Sequence, residues 1–512
     1  MRIRTMLALL TAVLAAFLAC ASGQAEAGIT DLWQFAAAVE EHAAQLEETF
    51  TIPITKDLME QLQAPSSAGR GSTILGEITG QAGICGSYRY SWNDTQVTFH
   101  GAAYRSGWRI LCCQRSGRTD LLSVRERKTL VEAYTLVNRV SGSDLEKERR
   151  IYDELCRRIT YERQEDPDGE KDTAVGGLLN GRADCDGYAD SMLLCCGLAG
   201  IPCRYIQGDS LKPSPLAGEE GGHAWNLVQI GGSWLMCDVT WGDSEESGPT
   251  YLYFNLGRTD AGESYRWEER TLFTEVAPAA DFSAQLMPDQ QPAMVVTPED
   301  AYSAVRAAAA ERKGRLMLFS PQAVPWKTDP DAFMRMIRAG GVEKCSYHET
   351  GRFFEISEMA WPEHPFCFCD SGEEALAAIS GYADLGVSSF SLCFHPDIAG
   401  SLFSGDLSGL SALLAGSRLE NPGSFRYSAE SGIVTLEEVS FIDPPAVCTA
   451  PEDVDALIRA EMPGNPATVC FLLAEGAEPS AFLDHAANTL AGYGILSIRY
   501  STLGNRVTLY LR

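Results

Sequence analysis

Four times along this chain a tyrosine is followed, seven and nine positions later, by two apolar residues. The sets are Tyr90 with Val97 and Phe99, Tyr347 with Phe354 and Ile356, Tyr427 with Val434 and Leu436, and Tyr500 with Val507 and Leu509. Asn93, Gly351, Gly432 and Gly504 supply turn residues between the arms. Side chains alternate between the two faces of a strand, so this spacing predicts a half-buried hairpin repeated four times.

The text upstream of the hairpins also repeats. Thr297-Pro298-Glu299-Asp300 and Ala450-Pro451-Glu452-Asp453 each open a helical stretch, with proline and acids in the first turn. A short apolar strand follows at Leu316 to Phe319, Phe390 to Phe394 or Val469 to Leu473, then a second helix such as Asp331 to Arg338 or Ala481 to Leu490. Each unit reads as α-β-α-β-β. Three run in tandem at 297–369, 370–445 and 449–512, and a fourth lies within 28–124, with a Gly/Ser-rich insertion at Ala64 to Thr73. Such modules suit binding or spacing, and a cell-surface partner is expected for them.

Composition narrows the partners. Sixty-nine acidic residues against 41 Lys and Arg give a net charge of −28, which argues against nucleic acid and anionic lipid. Arg2 and Arg4 precede an apolar run from Met6 to Leu18, too short for a stable membrane span, so residues 1–27 read as an export signal. Cleavage after Ala25-Glu26-Ala27 gives a secreted protein, and lipid modification of Cys20 gives a surface lipoprotein; both stay open. No later run is long enough to span a membrane. The cysteines at 195, 196, 393 and 470 sit in apolar runs, where a free thiol behaves as a small hydrophobe.

Residues 125–280 break the repeat. Ser143-x-x-Glu146 is a capping box, and Ile151, Leu155 and Ile159 mark one helix face. An acidic loop spans Glu162 to Asp172. Asn180-Gly181 then interrupts the chain before Cys185-Asp186-Gly187-Tyr188-Ala189, whose continuation through Met192 and Leu193 is an apolar helix. Cys185 therefore falls at a helix N-terminus, where the partial positive charge favours a thiolate and free N–H groups can hold an oxyanion. Gly222-His223-Ala224-Trp225-Asn226 reads as a strand, Gly231-Gly232 as a tight turn, and Trp234 through Asp238 to Trp241 as the returning strand. That hairpin brings His223 and Asp238 together, in the order a thiol base and its orienting carboxylate need.

These three stretches together resemble the bacterial transglutaminase-like domain, over roughly Ala133 to Leu256. The resemblance implies an α+β, papain-like core with a helix packed on an antiparallel sheet. It implies Cys185 as nucleophile, His223 as general base and acid, and Asp238 as orienter, with no cofactor and no metal. A zinc site built from Cys195, Cys196, Cys203 and Cys237 lacks two clear ligand pairs. Trp225, Trp241 and Tyr188 are candidates for lining the substrate site, with core packing as the other reading. Asp184 departs from the family pattern, which more usually has an apolar residue there, and a carboxylate beside a thiol raises its pKa. The expected activity is acyl transfer on amide bonds of a protein or peptide. Water as acceptor gives a cysteine protease or amidase, and an amine gives a crosslinking transglutaminase. A surface adhesion scaffold with an inactive central domain is the alternative.

Overall fold

A computed structural model of the chain describes residues 28–511, except 69–71, 86–87, 165, 167–168, 214–220, 244–247, 272–274, 282–285, 287–290, 322–323, 404–406, 422, 442–445, 465–467, 475–476, 496–497 and 504–505. The export segment, Cys20 and Gly504 lie outside the described residues. The chain forms two compact units, one running to Gln291 and including His348–Phe354, the other made of Pro292–Tyr347 and Glu355–Arg512. Among the described residues no helix is long and apolar enough to cross a membrane.

The first unit opens with a small sheet in the order Thr49–Pro53, Gln96–His100, Arg89–Asn93. Helices Leu32–Ala44, Lys56–Gln63 and Ile74–Gln81 belong to the same region. Three more helices follow: Ser106–Ser116, Val124–Val137 and Asp144–Arg158. The last two begin with complete capping boxes, Ser123 with Glu126 and Ser143 with Glu146, which satisfy helix-start N–H groups that have no partner within the helix. Ile151, Leu155 and Ile159 are buried together against Tyr188, Met192 and Cys196 of the helix Cys185–Ala199. Each such side chain contributes about 2 kcal/mol through removal from water. A four-stranded antiparallel sheet lies beside that helix, in the order Ser233–Cys237, Gly221–Ile230, Cys203–Ser210, Tyr265–Arg266. This is the α+β arrangement expected, a helix packed on an antiparallel sheet.

From Ala293 onward three four-stranded sheets share one strand order. They are Ala293–Met294, Leu316–Phe319, Phe353–Ala360, Lys344–Thr350; Phe366–Cys369, Phe390–Phe394, Ile433–Glu437, Ser424–Ser428; and Ala446–Cys448, Thr468–Leu473, Arg506–Tyr510, Arg499–Leu503. The strands Leu316–Phe319 and Phe390–Phe394 fall where the apolar runs place them. Each sheet also has a leading strand, parallel to the second, that the α-β-α-β-β reading omits. These strands are two to four residues long and carry no readable alternation. Phe366–Cys369 consequently pairs forward, with Phe390–Phe394, although the sequence reading placed it at the end of the preceding module. In the 28–124 region an isolated parallel bridge, Ile29 to Ile54, stands in the leading strand's place. The fifteen described cysteines are free thiols.

Candidate active site

Cys185 is the first residue of the helix Cys185–Ala199, as the break at Asn180-Gly181 implies. Asp184 is the cap: its Oδ1 accepts the Asp186 N–H at 3.1 Å and the Gly187 N–H at 3.4 Å. This explains the departure noted above, since a carboxylate is a strong helix cap. It also corrects the reading of a free helix start, because two of the donors expected to favour a thiolate or hold an oxyanion are already occupied. Gly187 is required by packing, as a Cβ there would lie 2.2 Å from the Lys171 carbonyl oxygen.

The thiol sits in an acidic setting. Cys185 Sγ lies 3.8 Å from Asp186 Oδ2. Burial, then the charges of Asp186 and Asp184, push the thiol well above its ordinary range, while the Ala224 backbone N–H facing it pulls down. Burial and Asp186 likewise raise the Asp184 carboxyl to about 6. Two carboxylates and desolvation thus act against the helix dipole, which favours the thiolate by about 1 kcal/mol.

Asp186 is itself compensated. Its Oδ1 receives Arg105 Nη1 at 3.2 Å, Gln207 Nε2 at 3.2 Å and the Tyr205 hydroxyl. The Arg105 guanidinium also lies 4.0 Å over the Tyr205 ring. Farther along the same helix, the buried Asp190 holds two other chain segments in place. Its Oδ2 accepts the N–H groups of Gly107 at 2.8 Å and Ala174 at 2.9 Å.

His223 is buried on the strand Gly221–Ile230, one residue before the Ala224 N–H that faces the thiol. Its Nε2 is 2.7 Å from Asp238 Oδ2. Among the described residues no hydrogen bond joins the imidazole to Cys185 Sγ. The hairpin pairs Asn226 with Cys237, which puts Asp238 at the strand end beside the histidine. The returning strand stops there instead of running on to Trp241. Asp238 Oδ1 accepts the Trp241 N–H at 3.1 Å and starts a helical turn, Val239–Gly242. Tyr265 donates its hydroxyl to Asp238 Oδ2 at 2.8 Å.

The three candidates for lining the substrate site are interior. Trp225 and Trp241 are almost wholly buried and pack on His223, with ring centroids 5.8 and 5.2 Å away. Tyr188 is fully buried, with its hydroxyl 2.9 Å from the Ile159 carbonyl oxygen and 2.5 Å from Asp243 Oδ2. The side of each helix or strand that faces the core was not readable from one motif, so rings near a nucleophile in sequence proved to be its support. Sequence reasoning missed Arg105, Tyr205, Gln207, Asp190 and Tyr265. Only Tyr205-x-Gln207 carried a signal, the two-residue alternation of a strand face. Among the described residues Asp184, Cys185 and Asp186 form the one group close enough to share a metal ion, and the thiol's own flank is what they make up.

Parts of the chain are similar to known proteins. The family profile of the transglutaminase-like superfamily matches residues 134–239. Kyphoscoliosis peptidase from Homo sapiens is 33% identical over 151 residues, covering 27% of this chain and 21% of that protein. The Mus musculus protein of the same name is 34% identical over 123 residues, covering 22% and 18%. The chain therefore spans about a fifth of the length of these relatives. The periplasmic domain of TgpA from Pseudomonas aeruginosa is similar at 19% identity and a TM-score of 0.18, over 29% of this chain and 54% of that one. Within this chain, the region holding Cys185, His223 and Asp238 belongs to the transglutaminase-like superfamily.

Proposed function

We propose that residues 125–280 form a thiol acyl-transfer domain of an exported protein, acting on amide bonds of a protein or peptide with water as the preferred acceptor. The observation that carries this reading is the 2.7 Å contact between His223 Nε2 and Asp238 Oδ2, beside a helix-start cysteine. With Nε2 engaged, Nδ1 is the nitrogen left to take the thiol proton. Apo thiol–imidazole pairs are often loose and tighten when substrate arrives.

In this mechanism the Cys185 proton passes to His223 Nδ1 as the sulfur attacks the amide carbonyl. The C–S bond forms, and the oxyanion is held by the Cys185 N–H, the donor that Asp184 leaves at the helix start. His223 returns the proton to the departing nitrogen as the C–N bond breaks. Water, deprotonated by His223, then cleaves the thioester and releases the acid. Asp238 keeps the imidazole in the needed tautomer and stabilises the imidazolium. Because the thiol rests protonated, the base is essential in this site. The peptidase name of the relatives favours hydrolysis over crosslinking. Arg2, Arg4 and the run Met6 to Leu18 support export. The modules at 28–124, 297–369, 370–445 and 449–512 take the binding role.

One observation favours a second reading, an inactive scaffold: two carboxylates flank the thiol and raise its pKa. Iodoacetamide separates the two. Cys185 labelling faster than every other cysteine, and slowed at least about tenfold in His223→Ala, supports the enzyme. Labelling at the pace of an ordinary exposed thiol, unchanged in that variant, supports the scaffold. Peptidomics with wild type and Cys185→Ala then distinguishes cleavage from crosslinking.

A further inference from the structure

The repeated tyrosine is not explained by the core. The apolar residues seven and nine positions after it are buried in every case: Val97 and Phe99, Val434 and Leu436, Val507 and Leu509. The tyrosines that open these three sets are exposed, Tyr90 by 41%, Tyr427 by 44% and Tyr500 by 55%. Each stands on the outermost strand of its sheet: Arg89–Asn93, Ser424–Ser428 and Arg499–Leu503. All five residues of Arg89–Asn93 and the first four of Ser424–Ser428 are exposed, so both sides of these strands reach solvent.

Charge singles out the same strands. Arg89, Arg426 and Arg499 each precede the tyrosine directly, and none of the three strands contains Asp or Glu, in a chain with 69 acidic residues. Adjacent residues of a strand face opposite ways, so the arginine and the tyrosine present two distinct sides. Register fixes which. Tyr90 opposes Phe99, Tyr427 opposes Val434 and Tyr500 opposes Leu509, so the tyrosine lies at the rim of the buried face. Trp92 and Phe425, two residues away from their tyrosines, extend that apolar rim in two of the sheets, and Tyr427 stacks on Phe403 at 5.6 Å. Arg426 already reaches a carboxylate on its own sheet, Glu437 at 2.8 Å, which shows what the arginine side can hold.

We propose that these three outer strands are docking edges for an extended acidic polypeptide, which joins Arg89–Asn93 and Ser424–Ser428 as an added strand and meets Arg499–Leu503 beside helix Ser408–Ala415. Edge strands offer a row of backbone N–H and C=O groups, and folded proteins ordinarily blunt such edges with charge, bulges or a covering segment. A chain alternating acidic and apolar residues would match both sides at once, carboxylates against arginine and aliphatic side chains against the aromatic rim. The 297–369 module departs from the pattern, since Ser346 precedes Tyr347, and it is left out. A glycan fits less well, because stacking on sugar needs rings lying on an open sheet face and these rings sit at the rim of a covered one.

The test uses the full chain and a fluorescein-labelled octapeptide alternating glutamate and valine, read by anisotropy. Two comparison peptides replace glutamate by lysine or carry N-methyl groups on alternate amides. The glutamate peptide is expected to bind at least about tenfold more tightly than either. The triple variant Tyr90→Ser, Tyr427→Ser, Tyr500→Ser is expected to weaken it by a similar factor, as is Arg89→Glu, Arg426→Glu, Arg499→Glu. Unchanged thermal melting and Cys185 labelling would show that both variants fold, and neither depends on whether Cys185 is catalytic. No binding, binding indifferent to N-methylation, or binding unaffected in both variants would overturn the proposal. So would binding of chitohexaose in place of the peptide, or self-association of the chain that displaces it, which would assign the edges to a second copy.

Discussion

The region around Cys185 and the last sheet, which begins at Ala446, solve burial in opposite ways. The former puts Glu148, Asp190, His223, Asn226 and Asp238 in its interior beside Trp225, Trp241 and Tyr265. The last sheet encloses Val469, Phe471, Leu473, Phe482, Leu490 and Leu509, with hardly a polar atom among them. Burying a charge or an unpaired polar group costs free energy that an aliphatic core does not incur. The contrast teaches how far a polar interior departs from a core built by packing alone.

Four experiments would break or sharpen that contrast. Asp238→Asn should lower turnover by about 10³–10⁴-fold while leaving the fold nearly intact, because one amide oxygen cannot replace two carboxylate oxygens serving His223, Tyr265 and the Trp241 N–H. Iodoacetamide kinetics and calorimetry on the same sample would check both halves. If stability fell instead and reactivity held, the buried polar cluster would be structural.

Glu148 provides the pH test. Burial pushes its carboxyl up to about 8, against a hydrogen bond from Asn255 at 3.0 Å that lowers it. A carboxyl raised on folding stabilises the protein below the unfolded value near 4.5, and that stability is lost as pH rises through about 8. The loss should be on the order of 4 kcal/mol and should vanish in Glu148→Gln. Urea melts between pH 5 and pH 9 (about one unit inside or beyond that window at each end) would read it. The repeats have no such buried group in their last core, so Phe471→Ala is expected to cost about 3–4 kcal/mol from cavity formation, with no pH dependence and no change in Cys185 labelling.

The smallest effect concerns Arg105. Removing its charge in Arg105→Met leaves Asp186 less compensated beside the thiol, so the thiolate fraction falls. Labelling of Cys185 at pH 8 should slow by about tenfold and its pH profile should move upward, with Arg105→Lys recovering part of the rate. An unshifted profile would make the Arg105–Asp186 pair a matter of packing alone.

Much of the site was legible in one dimension. Cys185 at a helix start, the His223 strand, the Gly231-Gly232 turn and Asp238 at the opposite end follow from local patterns of glycine, alternation and helix periodicity. The repeat hairpins were readable for the same reason, since spacing of seven and nine positions is a local property. What failed was long-range or short. The leading strands of two to four residues have no period to detect. Trp241 left the strand because Asp238 captured its N–H, a choice between two local structures that tertiary burial decided.

Sequence alone therefore placed Cys185 at a helix start, His223 on a strand and Asp238 at the end of its partner, because those depend on neighbours along the chain. Only the tertiary structure decided what surrounds them. Arg105 reaches Asp186 across 81 positions and Tyr265 reaches Asp238 across 27, and no pattern in a linear text encodes such pairings. Burial, which only the fold supplies, raises the Cys185 thiol most, and the charges of its sequence neighbours Asp186 and Asp184 add to it, so fold and motif together set how readily this thiol gives up its proton.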